Sequence, residues 1–106
     1  MSKSFRRFEI LLPLRFNDGS AVPDDLIALS LEEIQDRFGA VSCESQTIRG
    51  LWRYGGQSYR DESVRLFVDV PDVPESIAFF REFKERAKNR FGQIDIWMTT
   101  YPVDIF

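Results

Sequence analysis

Large apolar residues recur at every second position over residues 8–16. Phe8, Ile10, Leu12, Leu14 and Phe16 share one face, and Arg7, Glu9, Leu11, Pro13 and Arg15 share the other. A period of two with β-forming side chains predicts a strand. Pro13 lacks an amide donor and marks an irregularity in it. The cluster Asn17-Asp18-Gly19-Ser20 predicts a turn. The period then changes. Ile27, Leu31, Ile34 and Phe38 recur at one helical stripe. Pro23 suits the first helical position, Asp24 and Asp25 suit the positive helix start, and Gly39 suits the end. Residues 41–54 and 58–70 return to strand character, joined at Gly55-Gly56, where both positions tolerate positive φ. In the second of these strands Val64, Leu66, Val68 and Val70 point inward. Pro74 opens a second helix with a buried stripe of Ile77, Phe80, Lys84, Ala87 and Phe91, Phe83 at its edge, and Gly92 as terminator. Residues 94–106 predict the last strand, interrupted by Pro102.

The two halves repeat one plan. Val22-Pro23 leads through a helix to Arg37-Phe38-Gly39, and Val73-Pro74 leads through a helix to Arg90-Phe91-Gly92. Each half reads strand, Val-Pro, amphipathic helix, Arg-Phe-Gly, strand. This is a duplicated split βαβ unit, so the expected fold is α+β: a ferredoxin-like βαββαβ sandwich over residues 1–106 as one domain. Right-handed crossovers put both helices on one face of a four-stranded antiparallel sheet.

The opposite face is therefore left open. Alternation assigns it Glu9, Leu11, Pro13 and Arg15 from the first strand, Arg65, Phe67 and Asp69 from the third, and Asp95, Trp97, Thr99 and Tyr101 from the last. Extending the register from the Gly55-Gly56 turn pairs Trp52 with Tyr59 and Glu44 with Phe67 on the same side, with Ile48 a further candidate there. An apolar patch of Leu11, Phe67, Trp97 and Tyr101 is large for the surface of a small monomer. Ten Phe, two Trp and three Tyr in 106 residues point the same way, since a small core does not need so many rings.

Charge and composition narrow the chemistry. The net charge of −3 and a pI near 4.9 disfavour nucleic acid and anionic membrane surfaces as partners, because both rest on clustered Lys and Arg. Residues 1–7 are followed by no apolar run of signal-peptide or membrane-spanning length. The lone Cys43 has no partner for an internal disulfide, so a reduced, cytoplasmic protein is expected. Cys43 is assigned to the inward face of the second strand, beside Ser45 and Thr47, as a small core residue. The chain has no His. That removes the commonest general base, the Ser–His and Cys–His nucleophile pairs, and the standard zinc sites. No metal and no cofactor is expected.

The stretch from Arg49 to Glu62 mixes Trp52, Tyr54 and Tyr59 with Arg49, Arg53 and Arg60. It reads as a long hairpin stabilised by a Trp52–Tyr59 cross-strand pair, its charges solvated. The other reading makes it a mobile arm that grips a partner. Asp61 and Glu62 are adjacent on a strand and diverge, so they form no acid–base pair. The RNA-recognition module shares this topology. Here, however, residues 63–70 lack its glycine and second aromatic, and the first strand offers Leu11 where that module stacks a base.

Three pieces resemble an uncharacterised bacterial family of small ferredoxin-like domains of unknown function. They are Leu51-Trp52-Arg53 before the Gly turn, Glu62-Ser63-Val64 leading into the third strand, and Lys88-Asn89-Arg90-Phe91-Gly92-Gln93 before the last. The resemblance covers about half the chain, and it implies the fold and no activity.

The leading functional reading is a non-enzymatic binding or regulatory domain that self-associates, as a homodimer, through its open sheet face. The alternative is a binder of a small planar ligand, or a dimeric α+β barrel-type enzyme. In that case Trp97 and Tyr101 stack on the ligand, Arg15 or Arg65 meets its acid, and Asp69, Asp95 or Tyr101 handles protons. RNA binding ranks last. The ligand or interface candidates are Leu11, Arg15, Trp52, Tyr59, Arg65, Phe67, Trp97 and Tyr101.

Overall fold

A computed structural model describes residues 4–44 and 46–106. In chain order the elements are β1 Phe5–Pro13, α1 Asp24–Phe38, β2 Ser42–Cys43, β3 Ile48–Tyr54, β4 Gln57–Pro71, α2 Pro74–Phe91 and β5 Met98–Val103. All strand pairs are antiparallel, in the order β2-β4-β1-β5, with β3 also on β4. This is the ferredoxin-like α+β sandwich, with the expected second strand split in two.

The split has a local cause. Ser42 lies opposite Phe67 and Cys43 opposite Leu66, but Ile48 lies opposite Ser63. Residues 44–47 therefore span only Val64 and Arg65 on the partner strand, two residues too many for a continuous ladder. The hairpin register predicted Glu44 opposite Phe67. The inserted pair puts Ser42 there instead, and the Glu44 amide bonds the Arg65 carbonyl at 2.8 Å. An even insertion keeps the faces in step, so β2 and β3 present the parity that alternation assigned them.

β1 buries Phe8, Ile10 and Leu12, and β4 buries Val64, Leu66, Val68 and Val70. Both strands turn these residues toward the helices. Leu14 and Phe16 pack against the same core beyond the end of β1, where the chain leaves the ladder after Pro13. From α2, Phe80, Phe83, Ala87 and Phe91 are fully buried. Phe83 is thus core rather than edge. Lys84 is the edge residue, because its ammonium is drawn out to Asp95 at 3.0 Å. From α1, Ile34 is buried while Ile27, Leu31 and Phe38 are half-buried against the core. Pro23 stands as the N-cap of α1, one residue outside the helix, with extended φ and ψ. Gly39 and Gly92 end the two helices in the left-handed conformation, at φ of 87° and 62°.

Cys43 departs from its expected place. It lies opposite the core residue Leu66, yet it is exposed, because β2 is a two-residue strand at the edge of the sheet. Partial burial and the neighbouring Glu44 carboxylate push its thiol pKa up, away from a reactive thiolate. Ser45 lies outside the described residues. The last strand is shorter than predicted. Residues 93–97 form an irregular lead-in, in which Asp95 caps the Ile96 amide and the Trp97 carbonyl accepts from the Leu11 amide at 3.0 Å. Among the described residues no helix is long and apolar enough to cross a membrane.

A polar clamp joins the helices. Arg90, only 13% exposed, donates to the Ser30 hydroxyl at 2.9 Å and pairs with Glu33, which Arg86 also reaches at 3.1 Å. Arg90→Met keeps the aliphatic bulk and removes these charge-assisted bonds. It is expected to lower unfolding stability by about 1.5–3 kcal/mol, read from urea denaturation. A loss within experimental error would mean that Arg86 alone satisfies Glu33.

Candidate functional site

The open face is built around Phe67. Across the sheet, Glu9 lies opposite Phe67, Leu11 opposite Arg65 and Arg7 opposite Asp69. On the other side of β1, Arg7 lies opposite Tyr101 and Glu9 opposite Thr99. These residues share one face because directly paired residues point the same way. The Arg7 guanidinium grips Asp69 with two parallel bonds of 2.8 and 2.9 Å. Arg65 donates to Glu9 at 2.8 Å and to Glu44 at 3.0 Å, with a second contact to Glu44. Both guanidinium groups lie over the Phe67 ring, at 5.1 and 5.8 Å from its centroid.

The expected apolar row is therefore interrupted. Phe67 is half-buried beneath two arginines, and a lattice of ion pairs occupies the centre of the sheet. Arginine supports this arrangement because its planar fork bonds a carboxylate at its edge while its face lies over a ring. The bare aromatics stand at the margin: Trp97 is 66% exposed and Tyr101 40%.

This lattice changes the roles open to the candidates. Arg65 is satisfied twice over, and its pKa is raised, first by the hydrogen bond to Glu44. Arg15 pairs with Glu62 at 3.5 Å and donates to the Gly19 carbonyl at 3.1 Å. Neither waits unpaired on the sheet face for a ligand acid, contrary to expectation. The bidentate bond to Arg7 holds the Asp69 carboxyl below its ordinary range, against the opposing effect of burial. The Lys84 bond does the same for Asp95. Carboxylates held ionised in this way are poorly placed as general acids near neutral pH. Among the described residues no three of Asp, Glu and Cys converge as a metal site requires.

A depressed folded-state pKa stabilises the fold above the ordinary aspartate range, about pH 4. That stabilisation is lost as pH falls through the lowered value. Thermal stability is thus expected to drop on the acid side of about pH 4. Asp69→Asn should flatten part of that limb, leaving the share due to Asp95 and to Asp18, whose carboxyl is held down by hydrogen bonds from Ser20. Melting curves from pH 5 to pH 2 check this, and superimposable limbs for both proteins would remove Asp69 from the account.

Beyond the sheet, β3 and the first half of β4 run on as a hairpin arm. It is paired from Ile48–Ser63 to Tyr54–Gln57 and turns at Gly55 and Gly56, with φ of 60° and 79°. Trp52 and Tyr59 lie opposite each other, their rings stacked at 4.6 Å. The Trp52 indole N–H is buried and has no acceptor among the described residues, so ring packing rather than hydrogen bonding holds this pair. The arm is bare toward its end: Leu51 is 79% exposed and Tyr54 62%.

Two clefts flank the arm. The first, about 640 Å³, runs between the arm and the lead-in to β5; Leu11, Leu51, Trp52, Tyr54, Ile94 and Trp97 are among its walls. The second, about 610 Å³, lies between the arm and the 15–19 turn. Arg15, Phe16, Arg49, Leu51, Trp52, Tyr59 and Arg60 line it. The eight predicted residues thus fall in three places. Leu11, Trp52 and Trp97 meet at the first cleft, and Arg15, Tyr59 and again Trp52 at the second. Arg65 and Phe67 belong to the ion-pair lattice, with Tyr101 beside it on β5. Reading the sequence missed the convergence of Arg49 and Arg60 with Arg15. The hairpin register carried only half of the signal: it places Arg49 and Arg60 on one face, with Glu62 and Leu51 opposite them, and says nothing of Arg15.

No protein-family profile matches the chain, and no curated protein matches it in sequence. Solved structures do match its fold. A divalent cation tolerance protein, CutA1 of Thermus thermophilus, superposes with a TM-score of 0.65 at 13% identity, covering 96% of this chain and 86% of that one. CutA of Archaeoglobus fulgidus gives 0.68 at 10% identity, over 96% and 86%. A phage SAM lyase, solved in complex with S-methyl-5′-thioadenosine, gives 0.68 at 14% identity, over 99% and 92%. At these identities the likeness establishes the ferredoxin-like fold and leaves function to the chain's own residues.

Proposed function

We propose that this chain is a non-enzymatic binding domain that self-associates, a second copy covering the arm and the Trp97 margin of the open sheet face. The observation that carries it is the gathering of bare apolar side chains at one place. Leu51, Tyr54, Ile94 and Trp97, each more than half exposed, all line the first cleft. A soluble monomer rarely leaves such a patch in water, and aromatics are enriched where protein surfaces meet. The centre of the face, with its ion pairs, then supplies orientation, and the apolar margin supplies affinity. This moves the contact from the middle of the sheet, where the sequence pattern put it, to its arm side. A homodimer is the simplest closed assembly for such a surface.

Native mass spectrometry at low micromolar concentration tests this reading. A defined oligomer supports it, and a monomer overturns it. The second reading, a small planar ligand between Leu11, Trp52 and Trp97, then takes its place. It is favoured by the size of the cleft, which falls within the usual range for ligand sites. The adenosine-type ligand of the phage SAM lyase is of that planar kind.

A further inference from the structure

The second cleft carries a different chemistry from the first. Arg15, Arg49 and Arg60 all line it, with Glu62 and Asp61 as its acids and Phe16, Leu51 and Pro13 as apolar wall. Glu62 is engaged by Arg15. Among the described residues, no carboxylate lies within ion-pair distance of Arg49 or Arg60. The chain as a whole is acidic, at net −3, and Arg6, Arg7, Arg65, Arg86 and Arg90 each hold a carboxylate. Arg37, Arg53 and Arg81 hold none among the described residues but stand outside this cleft, so what sets Arg49 and Arg60 apart is their gathering with Arg15 rather than lack of a partner alone. Two unpaired guanidiniums beside a third, facing an apolar wall on an otherwise acidic protein, call for an anion from outside.

The residues sit where they do for a plain reason. Arg49 and Arg60 are a diagonal pair on one face of the β3–β4 ladder, one on each strand, with Leu51 directly opposite Arg60. Diagonal neighbours lie within reach of long side chains. Arg15 comes from the opposite wall, where the Arg15–Ala21 bridge and the Phe16–Ser20 hydrogen bond hold the turn. Its bond to the Gly19 carbonyl ties its guanidinium to that turn.

We propose that the cleft between the hairpin arm and the 15–19 turn binds a small organic dianion with an apolar body, such as an aromatic phosphate monoester. Guanidinium forks from Arg49 and Arg60 bond its oxygens, and its body lies on Leu51 and Phe16. Guanidinium suits such oxygens because it bonds two at once and stays charged at all working pH. The site's residues come from one chain, but Leu51 and Trp52 line both clefts, so the native mass is recorded with and without 1-naphthyl phosphate and the binding measured on whichever species is present.

The experiment titrates 1-naphthyl phosphate into the protein as purified, followed by calorimetry and by the two indole N–H signals in ¹H–¹⁵N spectra. The chain has two Trp, so a Trp97→Phe variant assigns both signals. Trp52 lines this cleft and Trp97 does not. The expected result is saturable binding that moves the Trp52 signal and leaves that of Trp97 in place. Arg49→Gln and Arg60→Gln should each weaken it by about tenfold, with circular dichroism unchanged. Inorganic phosphate should bind more weakly, and the cation N-methylquinolinium should not bind. No saturable binding of naphthyl phosphate overturns the proposal, as does an affinity unmoved by both arginine variants. Equal affinity for inorganic phosphate overturns the apolar-body part of it.

Discussion

Phe80→Ala is expected to cost about 3–5 kcal/mol of folding stability, a large part of a margin that is typically about 5–15 kcal/mol for a whole domain. Phe80 is fully buried, and its ring is the hub of the aromatic core. It stacks on Phe8 of β1 at 4.0 Å and on Phe38 of α1 at 5.5 Å, and it meets Phe79 edge-on at 5.1 Å. One ring therefore ties α2 to both the sheet and the other helix. Truncation removes the burial of the ring and leaves a cavity that three elements would have to collapse to fill. Urea unfolding is the measurement: the midpoint should fall with little change in slope. Phe79→Ala, half-buried at the margin, is the internal comparison and should cost distinctly less. Equal losses would mean that the cluster yields as a unit and has no hub.

The same ring cluster explains why the fold was legible before the structure. Phe8, Ile34, Leu66, Phe80 and Phe91 each stand at a position that the strand or helix period singles out, so pattern alone places them inward. The Arg-Phe-Gly endings of both helices were equally plain, because a left-handed terminus asks for glycine. Three things escaped. Phe83 and Lys84 exchanged roles at the stripe's edge, where a period fixes a helix face only to within one residue. The second strand broke at residues 44–47, an insertion that no hydrophobic period records. Cys43 keeps its predicted side of the sheet yet is exposed, since strand parity gives the direction of a side chain and not how far the core extends to an edge strand.

The site was legible in its membership more than in its arrangement. Alternation put Arg65, Phe67 and Asp69 on the open face and Arg7 on the same side of the first strand, but it did not show that the Arg7 guanidinium closes over Phe67 and turns an apolar row into a charged lattice. Ion pairs across strands depend on register, and register becomes visible only when strands are set side by side. With the strands paired, Arg7 faces Asp69, Glu9 faces Phe67 beside Arg65, and the lattice follows. The convergence of Arg15 with Arg49 and Arg60 lies further out of reach. It joins a turn to a hairpin that are far apart in the chain, and nothing local in either segment announces the other.

Trp97→Arg is expected to dissociate the proposed assembly while leaving the subunit folded. The Trp97 backbone is fixed by the Leu11 amide, and its side chain is two-thirds exposed, so the subunit core does not depend on the indole. Between two copies the situation reverses. Loss of a central aromatic anchor commonly costs at least about 2 kcal/mol, roughly thirtyfold in affinity. An unpaired guanidinium forced into the contact adds its own desolvation cost. The expected result is a native mass at low micromolar concentration that shifts to the monomer, with an unchanged circular-dichroism spectrum and a urea transition that stays cooperative while no longer depending on protein concentration. Ile105→Arg is the control: Ile105 is 54% exposed but lines neither cleft, so a charge there should leave the mass as it was. If both substitutions dissociate the protein, added charge rather than the Trp97 surface is responsible. If neither does, the copies meet elsewhere, and the first cleft is open to a planar ligand.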